Sequence, residues 1–410
     1  MTRSSVIPPV ADRLTKLPPY LFVQIDAMKD ELVKQGRDVI DMGVGDPDEP
    51  TPGFILQAMV KALKDKANHQ YPSNRGLNTL REAIAAWYKK RFGVSLDPAT
   101  EILPLIGSKE GIAHFPLAYV NPGDKVLVPD PCYPPYRTGT ILAGGEPVAV
   151  PLLAQNSFLP DLEELKKKAA NAKLLFLNYP NNPTAAVANL DFFKQLVRFA
   201  QETGVPVCHD AAYSELSYGK FRHPSFLQAP GAKEVGIEFH SLSKTFNMTG
   251  WRIGWACGNA AMISALAKVK SNIDSGLFQA IQVAGIRAFQ DSGAHLKKML
   301  KIYETRRDLM VGALQNNGWP VKSPQATFYL WTPIPPERSS KEVAAELLRK
   351  EALVATPGVG FGNHGEGYVR FSLSIPTPKI REAAHRIGRL AIWPTAKRNP
   401  VSSNGRPRRK

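Results

Sequence analysis

The chain has 410 residues, 43% of them hydrophobic, which is enough to bury a large core and more than one small domain needs. No apolar run approaches the roughly 20 residues of a membrane-spanning helix, residues 1–19 lack the apolar centre of a secretory signal, and three scattered cysteines (Cys132, Cys208, Cys257) support neither a disulfide framework nor a metal site. The net charge of +16 raises nucleic-acid binding, but Lys397, Arg398, Arg406, Arg408, Arg409 and Lys410 crowd the end of the chain and the other positives are dispersed, so a cytoplasmic protein acting on small anions is expected instead.

In chain order, Pro8-Pro9 and Pro18-Pro19 predict an extended arm over residues 1–20. Phe22, Ile25, Met28 and Leu32 recur at helical spacing until Gly36, followed by an expected strand over 38–44 and a proline-rich loop from Gly45. Helices are expected over 54–66 and 80–91. Short apolar runs then alternate with helical patterns, at 102–106, 125–128, 173–177, 205–208, 236–239 and 253–256. That alternation predicts a mainly parallel sheet covered on both faces, with ligands at the carboxyl ends of its strands. Beyond residue 260 the pattern is helical to 316, and strands at 327–331, 354–356 and 368–373 with helices at 341–350 and 379–392 form a smaller α/β layer. The division expected is an arm (1–20), a small domain from both chain ends (21–45 and 294–395), a large domain (46–293) and a disordered basic tail (396–410).

The polar outliers fall just after predicted strands. Ser241, Ser243, Lys244 and Arg252 follow the 236–239 strand and place one amine among anion-binding groups, as a cofactor with an aldehyde and a phosphate needs. Gly107, Ser108 and Lys109 open a helix whose backbone N–H groups suit a phosphate. Asp210 ends a buried strand, where a carboxylate is costly without a cation or a donor; a protonated pyridine nitrogen or a helix N-cap role would each answer this. Arg370 lies in an apolar strand and needs a carboxylate, internal or from a substrate. His209 and His240 have no metal-ligand partner at suitable spacing and read as structural.

Taken together, these motifs resemble the fold-type I, class I/II pyridoxal-phosphate aminotransferases. The likeness runs from about Pro18 to Trp393, through the Gly107 cup, the loop Pro131–Tyr136, Asn181-Asn182-Pro183-Thr184, Asp210 to Tyr213, Ser241 to Arg252, and Arg370. It implies pyridoxal 5'-phosphate on Lys244 as a Schiff base, with Asp210 keeping the pyridinium protonated. Tyr213 and Asn182 would bond the phenolic oxygen, Tyr133 would stack on the ring, and Ser108, Lys109, Ser241, Ser243 and Arg252 would hold the phosphate. Arg370 looks like the clamp for the substrate α-carboxylate, with Gly45 beside it. Tyr71 resembles the tyrosine that reaches the phosphate of a neighbouring subunit, implying a homodimer with shared sites.

Within the family, Leu17 to Phe22, Leu105 to Gly111, Glu238 to Lys244, Lys270 to Gly276 and His364 to Tyr368 are similar to the LL-diaminopimelate aminotransferase branch. That branch forms LL-diaminopimelate from tetrahydrodipicolinate with glutamate as donor, in lysine biosynthesis. Tyr20, Lys109, Tyr133, Asn182 and Asn272 would then join Arg370 and Gly45 on the substrate side. Asn74 departs from the glutamate some members carry there, which keeps open aspartate, alanine or aromatic amino acids as substrates, or β-lyase chemistry. A non-enzymatic regulator on this fold would carry an added DNA-binding domain, and the residues before the first helix are too few for one.

Overall fold

The computed structural model describes residues 7–18, 22–291 and 293–393. The strands in chain order are β1 (Ile40–Asp41), β2 (Ile102–Leu105), β3 (Lys125–Asp130), β4 (Glu146–Pro151), β5 (Ala172–Asn178), β6 (Val207–Asp210), β7 (Gly236–Ser241), β8 (Gly254–Gly258), β9 (Tyr329–Pro333), β10 (Leu353–Val354), β11 (Thr356–Pro357) and β12 (Tyr368–Ser372). Seven of them form one sheet in the order β2-β8-β7-β6-β5-β3-β4. Strands β7, β6, β5, β3 and β4 run parallel, whereas β8 is antiparallel to both of its neighbours.

This sheet is buried on both faces, which is why its strands read as unbroken apolar runs. Leu175, Leu177 and Val207 enter one core, while Leu174, Phe176 and Cys208, one residue out of step, enter the other. Within the first core lies a polar knot. The Glu238 carboxylate accepts from Tyr88, Ser225 and the Phe226 N–H, and pairs with His209 and His240 at 2.9 and 3.0 Å. Burial alone would raise that carboxyl, but the hydrogen bonds from the two imidazoles offset it and hold it well below the usual carboxylate range.

A third core gathers Tyr303, Met310, Phe328, Leu330, Val369 and Phe371 around the antiparallel sheet β11-β12-β9 and the helices Ala294–Asn316 and Thr377–Ile387. Early chain joins it, because β1 pairs in parallel with β10. Three expectations are corrected. The strand over 38–44 shrinks to β1, since Gly43 to Asp48 leave the ladder to form the loop described below. The expected 354–356 strand is two short strands, β10 and β11, in different sheets. The arm is not wholly extended: Asp12–Thr15 makes one helical turn between the proline pairs. Residues 396–410 lie outside the described part of the chain, and among the described residues no helix is long and apolar enough to cross a membrane.

Candidate active site

Three parallel strands end on polar residues side by side: Asn178 closes β5, Asp210 closes β6 and Ser241 closes β7. Asn178 and Asp210 are register partners, and the Asn178 amide donates to the Asp210 carbonyl at 2.8 Å. These ends open into a cavity of about 530 Å³. Of the residues expected from sequence, Gly45, Ser108, Lys109, Tyr133, Asn182, Asp210, Tyr213, Ser241, Ser243, Lys244, Arg252 and Arg370 all line it. Tyr71 does not: it is 88% exposed on the outer surface. Asn272 is also exposed and away from the cavity, and Tyr20 lies outside the described residues.

At one end, Gly254 sits between Leu105 and Ser241 in the sheet register. A Cβ on Gly254 would lie 2.6 Å from the Ser108 nitrogen, so only glycine lets β8 approach the start of the helix Ser108–His114. Gly107, at φ +76°, is equally constrained, because its Cβ would fall 2.4 Å from the Arg252 guanidinium. Arg252 itself adopts φ +56°, a left-handed conformation that costs a non-glycine residue roughly 1–2 kcal/mol, and its Nη1 donates to the Thr249 carbonyl at 2.7 Å. The result is a cup of hydroxyls, a backbone N–H and a guanidinium, which is a donor set for a phosphate dianion.

In the middle, Lys244 is the third residue of the four-residue helical turn Leu242–Thr245 capped by Ser241, whose Oγ accepts from the Ser243 N–H. Its Nζ donates to the Gly45 carbonyl at 2.8 Å. Burial, abetted by Arg252 and Arg370 and opposed by Asp46, lowers its pKa to about 8, so near neutrality a usable fraction of the amine is uncharged. Asp210 is 4% exposed and receives Tyr136 Oη at 2.8 Å and the Ala212 N–H at 3.1 Å. Burial pushes its carboxyl up, and those two donors only partly oppose this. The site around it therefore suits a cation placed against the carboxylate.

At the other end, the Arg370 guanidinium is held flat between Tyr329 (4.3 Å) and Phe361 (4.6 Å). It donates to Asn182 Oδ1 at 2.7 Å and to the Gly43 carbonyl at 2.5 Å, while its buried Nε has no partner. No carboxylate pairs with it among the described residues. Tyr329 also bonds Tyr213, oxygen to oxygen at 2.9 Å, and a Cβ on Gly45 would meet its hydroxyl at 2.0 Å.

Sequence reasoning missed Tyr136, Tyr329 and Asn178. Tyr136 lay within the singled-out loop, and a second tyrosine three residues after Tyr133 was its one signal. Tyr329 sits in a strand of core residues and gave none.

The cavity residues fit pyridoxal phosphate: a phosphate cup that a Cβ would fill, a buried carboxylate without a counter-ion, and one amine between them. The chain matches the family described as "Aminotransferase class I and II" over residues 37–387, and it belongs to that family, whose members are pyridoxal-phosphate-dependent transaminases. It is 54% identical over 378 residues to the LL-diaminopimelate aminotransferase of Desulforudis audaxviator, covering 92% of this chain and 96% of that one. The enzyme of the same name from Syntrophobacter fumaroxidans is 53% identical, at 93% and 99% coverage. Among solved structures, substrate-bound BacF from Bacillus subtilis superposes with a TM-score of 0.90 at 36% identity, covering 94% of this chain and 98% of that one. The architecture is that of the fold-type I pyridoxal-phosphate transferases.

Proposed function

We propose that this chain is an LL-diaminopimelate aminotransferase, exchanging an amino group between glutamate and tetrahydrodipicolinate in lysine biosynthesis. The observation that carries the reaction type is a single cavity holding a buried amine (Lys244), a buried carboxylate without a cation (Asp210) and a buried guanidinium without an anion (Arg370). The substrate is supported by relatives of that name, more than half identical over nine-tenths of both chains.

Ser108, the Lys109 backbone N–H, Ser241, Ser243 and Arg252 would hold the cofactor phosphate, leaving the Lys109 ammonium free, Tyr133 would stack on the ring, and Lys244 would be the attachment point for the aldehyde. Bound there, pyridoxal phosphate supplies an electron sink that weakens the bonds at the substrate's α-carbon. Asp210, with Tyr136 fixing its orientation, holds the proton on the ring nitrogen. Asn182 offers its oxygen to Arg370, which leaves its NH₂ to donate, with the Tyr213 hydroxyl, to the phenolic oxygen. Arg370 binds the α-carboxylate, completing the partnership its Nε lacks. Once the substrate's amine has taken its place on the aldehyde carbon, Lys244 would be a free amine whose lowered pKa of about 8 suits it to take the proton from the substrate's α-carbon. Gly45 gives the Lys244 amine its resting acceptor.

The residues that stand outside the cavity fit a homodimer. Leu56, Val60 and Leu63 are exposed on one helix, and Ile273 and Phe278 lie exposed on the segment that packs, through Gly276, against Pro72 and Ser73. An apolar surface of this kind suits a second copy of the chain, which would carry Tyr71 and Asn272 to the other protomer's cavity. The separate cores around the seven-stranded sheet and around β9, β11 and β12 support a division into a large and a small domain, and three buried free cysteines suit a cytoplasmic setting.

The test is turnover of LL-diaminopimelate with 2-oxoglutarate against turnover of aspartate under the same conditions. A strong preference for the diamino acid is expected; equal or faster turnover of aspartate sinks the substrate assignment. Lys244→Ala is expected to cost at least about 10²–10⁴ in kcat, as loss of a positioned acid–base group does.

A further inference from the structure

Six charged residues line the cavity: Asp26, Lys109, Asp210, Lys244, Arg252 and Arg370. Four are engaged: Asp210 by Tyr136 and Ala212, Lys244 by Gly45, Arg252 by Thr249, and Arg370 by Asn182 and Gly43. Asp26 and Lys109 have neither a hydrogen bond nor an ion pair among the described residues. For Asp26 the reason is local. It rides on the helix Phe22–Lys34, and Lys29, three residues along and able to reach it, pairs instead with Asp41 at 2.6 Å. The helix thus delivers a carboxylate to the cavity wall, where it feels the Lys29 charge through space while the Lys29 ammonium makes its hydrogen bond to Asp41. The other lining residues from this part of the chain are Val44 and Gly45, the latter in contact with Tyr329 and Lys244.

We propose that Asp26 is a specificity-determining residue that binds the distal ammonium of a diamino dicarboxylate, while Lys109 binds the distal carboxylate. The inference rests on the substrate reading above. A substrate gripped by its α-carboxylate at Arg370 still has a far end, and a far end bearing both an ammonium and a carboxylate needs one anion and one cation. The cavity has one of each left over. A glutamate donor, with a carboxylate alone at its far end, uses Lys109 and leaves Asp26 idle. One site can therefore take both substrates in turn, and Asp26 distinguishes them.

The experiment uses the full-length holoenzyme and the variants Asp26→Asn and Asp26→Glu, with KM and kcat measured separately for LL-diaminopimelate and for glutamate, and calorimetric titration of each ligand. Loss of one charge-assisted hydrogen bond predicts a rise of about ten- to a hundredfold in KM and Kd for LL-diaminopimelate in Asp26→Asn. Glutamate constants stay unchanged, and Asp26→Glu recovers most of the loss. Asp26 is exposed, so the variants fold, and the glutamate constants verify this in the same samples. Unchanged KM for LL-diaminopimelate, or an equal rise for both substrates, overturns the assignment and leaves the aminotransferase reading standing. If the wild-type protein does not use LL-diaminopimelate at all, the substrate reading fails and Asp26 loses its proposed role with it. The two failures are read in different proteins, the second in wild type and the first only in the variant.

Discussion

Among the described residues two arginines are buried, Arg306 at 1% exposure and Arg370 at 3%, and they are buried differently. Arg306 is complete: both of its terminal nitrogens reach the Asp48 carboxylate, at 2.6 and 2.9 Å, and it also donates to the Leu373 carbonyl and the Thr377 hydroxyl. Arg370 has aromatic faces, an amide and a carbonyl, but no carboxylate, and its Nε is unsatisfied. A buried charge that has its counter-ion is part of the scaffold. A buried charge held rigidly without one marks where a ligand supplies it.

The comparison breaks if the two behave alike on substitution. Arg370→Lys keeps the charge but loses the planar fork, and kcat/KM is expected to fall by about 10²–10³, which steady-state kinetics measures. The apo-protein's denaturant midpoint should not fall, because no internal ion pair is lost. Arg306→Ala should do the reverse. It leaves Asp48 without its partner and is expected to cost about 3–5 kcal/mol in chemical denaturation, with kcat/KM of the folded protein largely retained. Equal stability losses in the two variants would erase the distinction.

The smallest effect concerns the amine between them. Covalent capture of pyridoxal phosphate by apo-protein, followed by absorbance, should rise with pH through a midpoint near 8, as Lys244 loses its proton. Asp46→Asn removes a charge that favours the protonated amine, so the midpoint should move below 8. An upward move contradicts the electrostatic account. The sign for stability follows from the same shift. Lys244 binds its proton more weakly when folded than when unfolded. The protein therefore loses stability as pH falls from the unfolded value of 10.5 towards 8, and the full loss is present below that.

What the sequence made legible follows from these contrasts. Arg370 and Asp210 stood out because a charge in an apolar run is anomalous, and Lys244 with its serines because short polar motifs after strands sit where sheets bind ligands. Tyr329 was invisible because a tyrosine in a strand is also an ordinary core residue, and Tyr136 had only its place in the aromatic loop to mark it. The antiparallel direction of β8 left no trace, since a buried strand has the same period in either direction. Arg306 gave no signal, being one more cation on a helix until Asp48 is placed against it.

That pairing has a consequence for the order of folding. Asp48 and Arg306 stand 258 positions apart, so their contact closes a loop containing every strand of the seven-stranded sheet. The closure entropy of so long a loop grows only slowly with its length, about 0.6 kcal/mol per doubling, but nothing repays it until the enclosed chain is compact. The contact therefore belongs to the late, downhill side of folding. The stability lost in Arg306→Ala should appear as faster unfolding, with the refolding rate nearly unchanged.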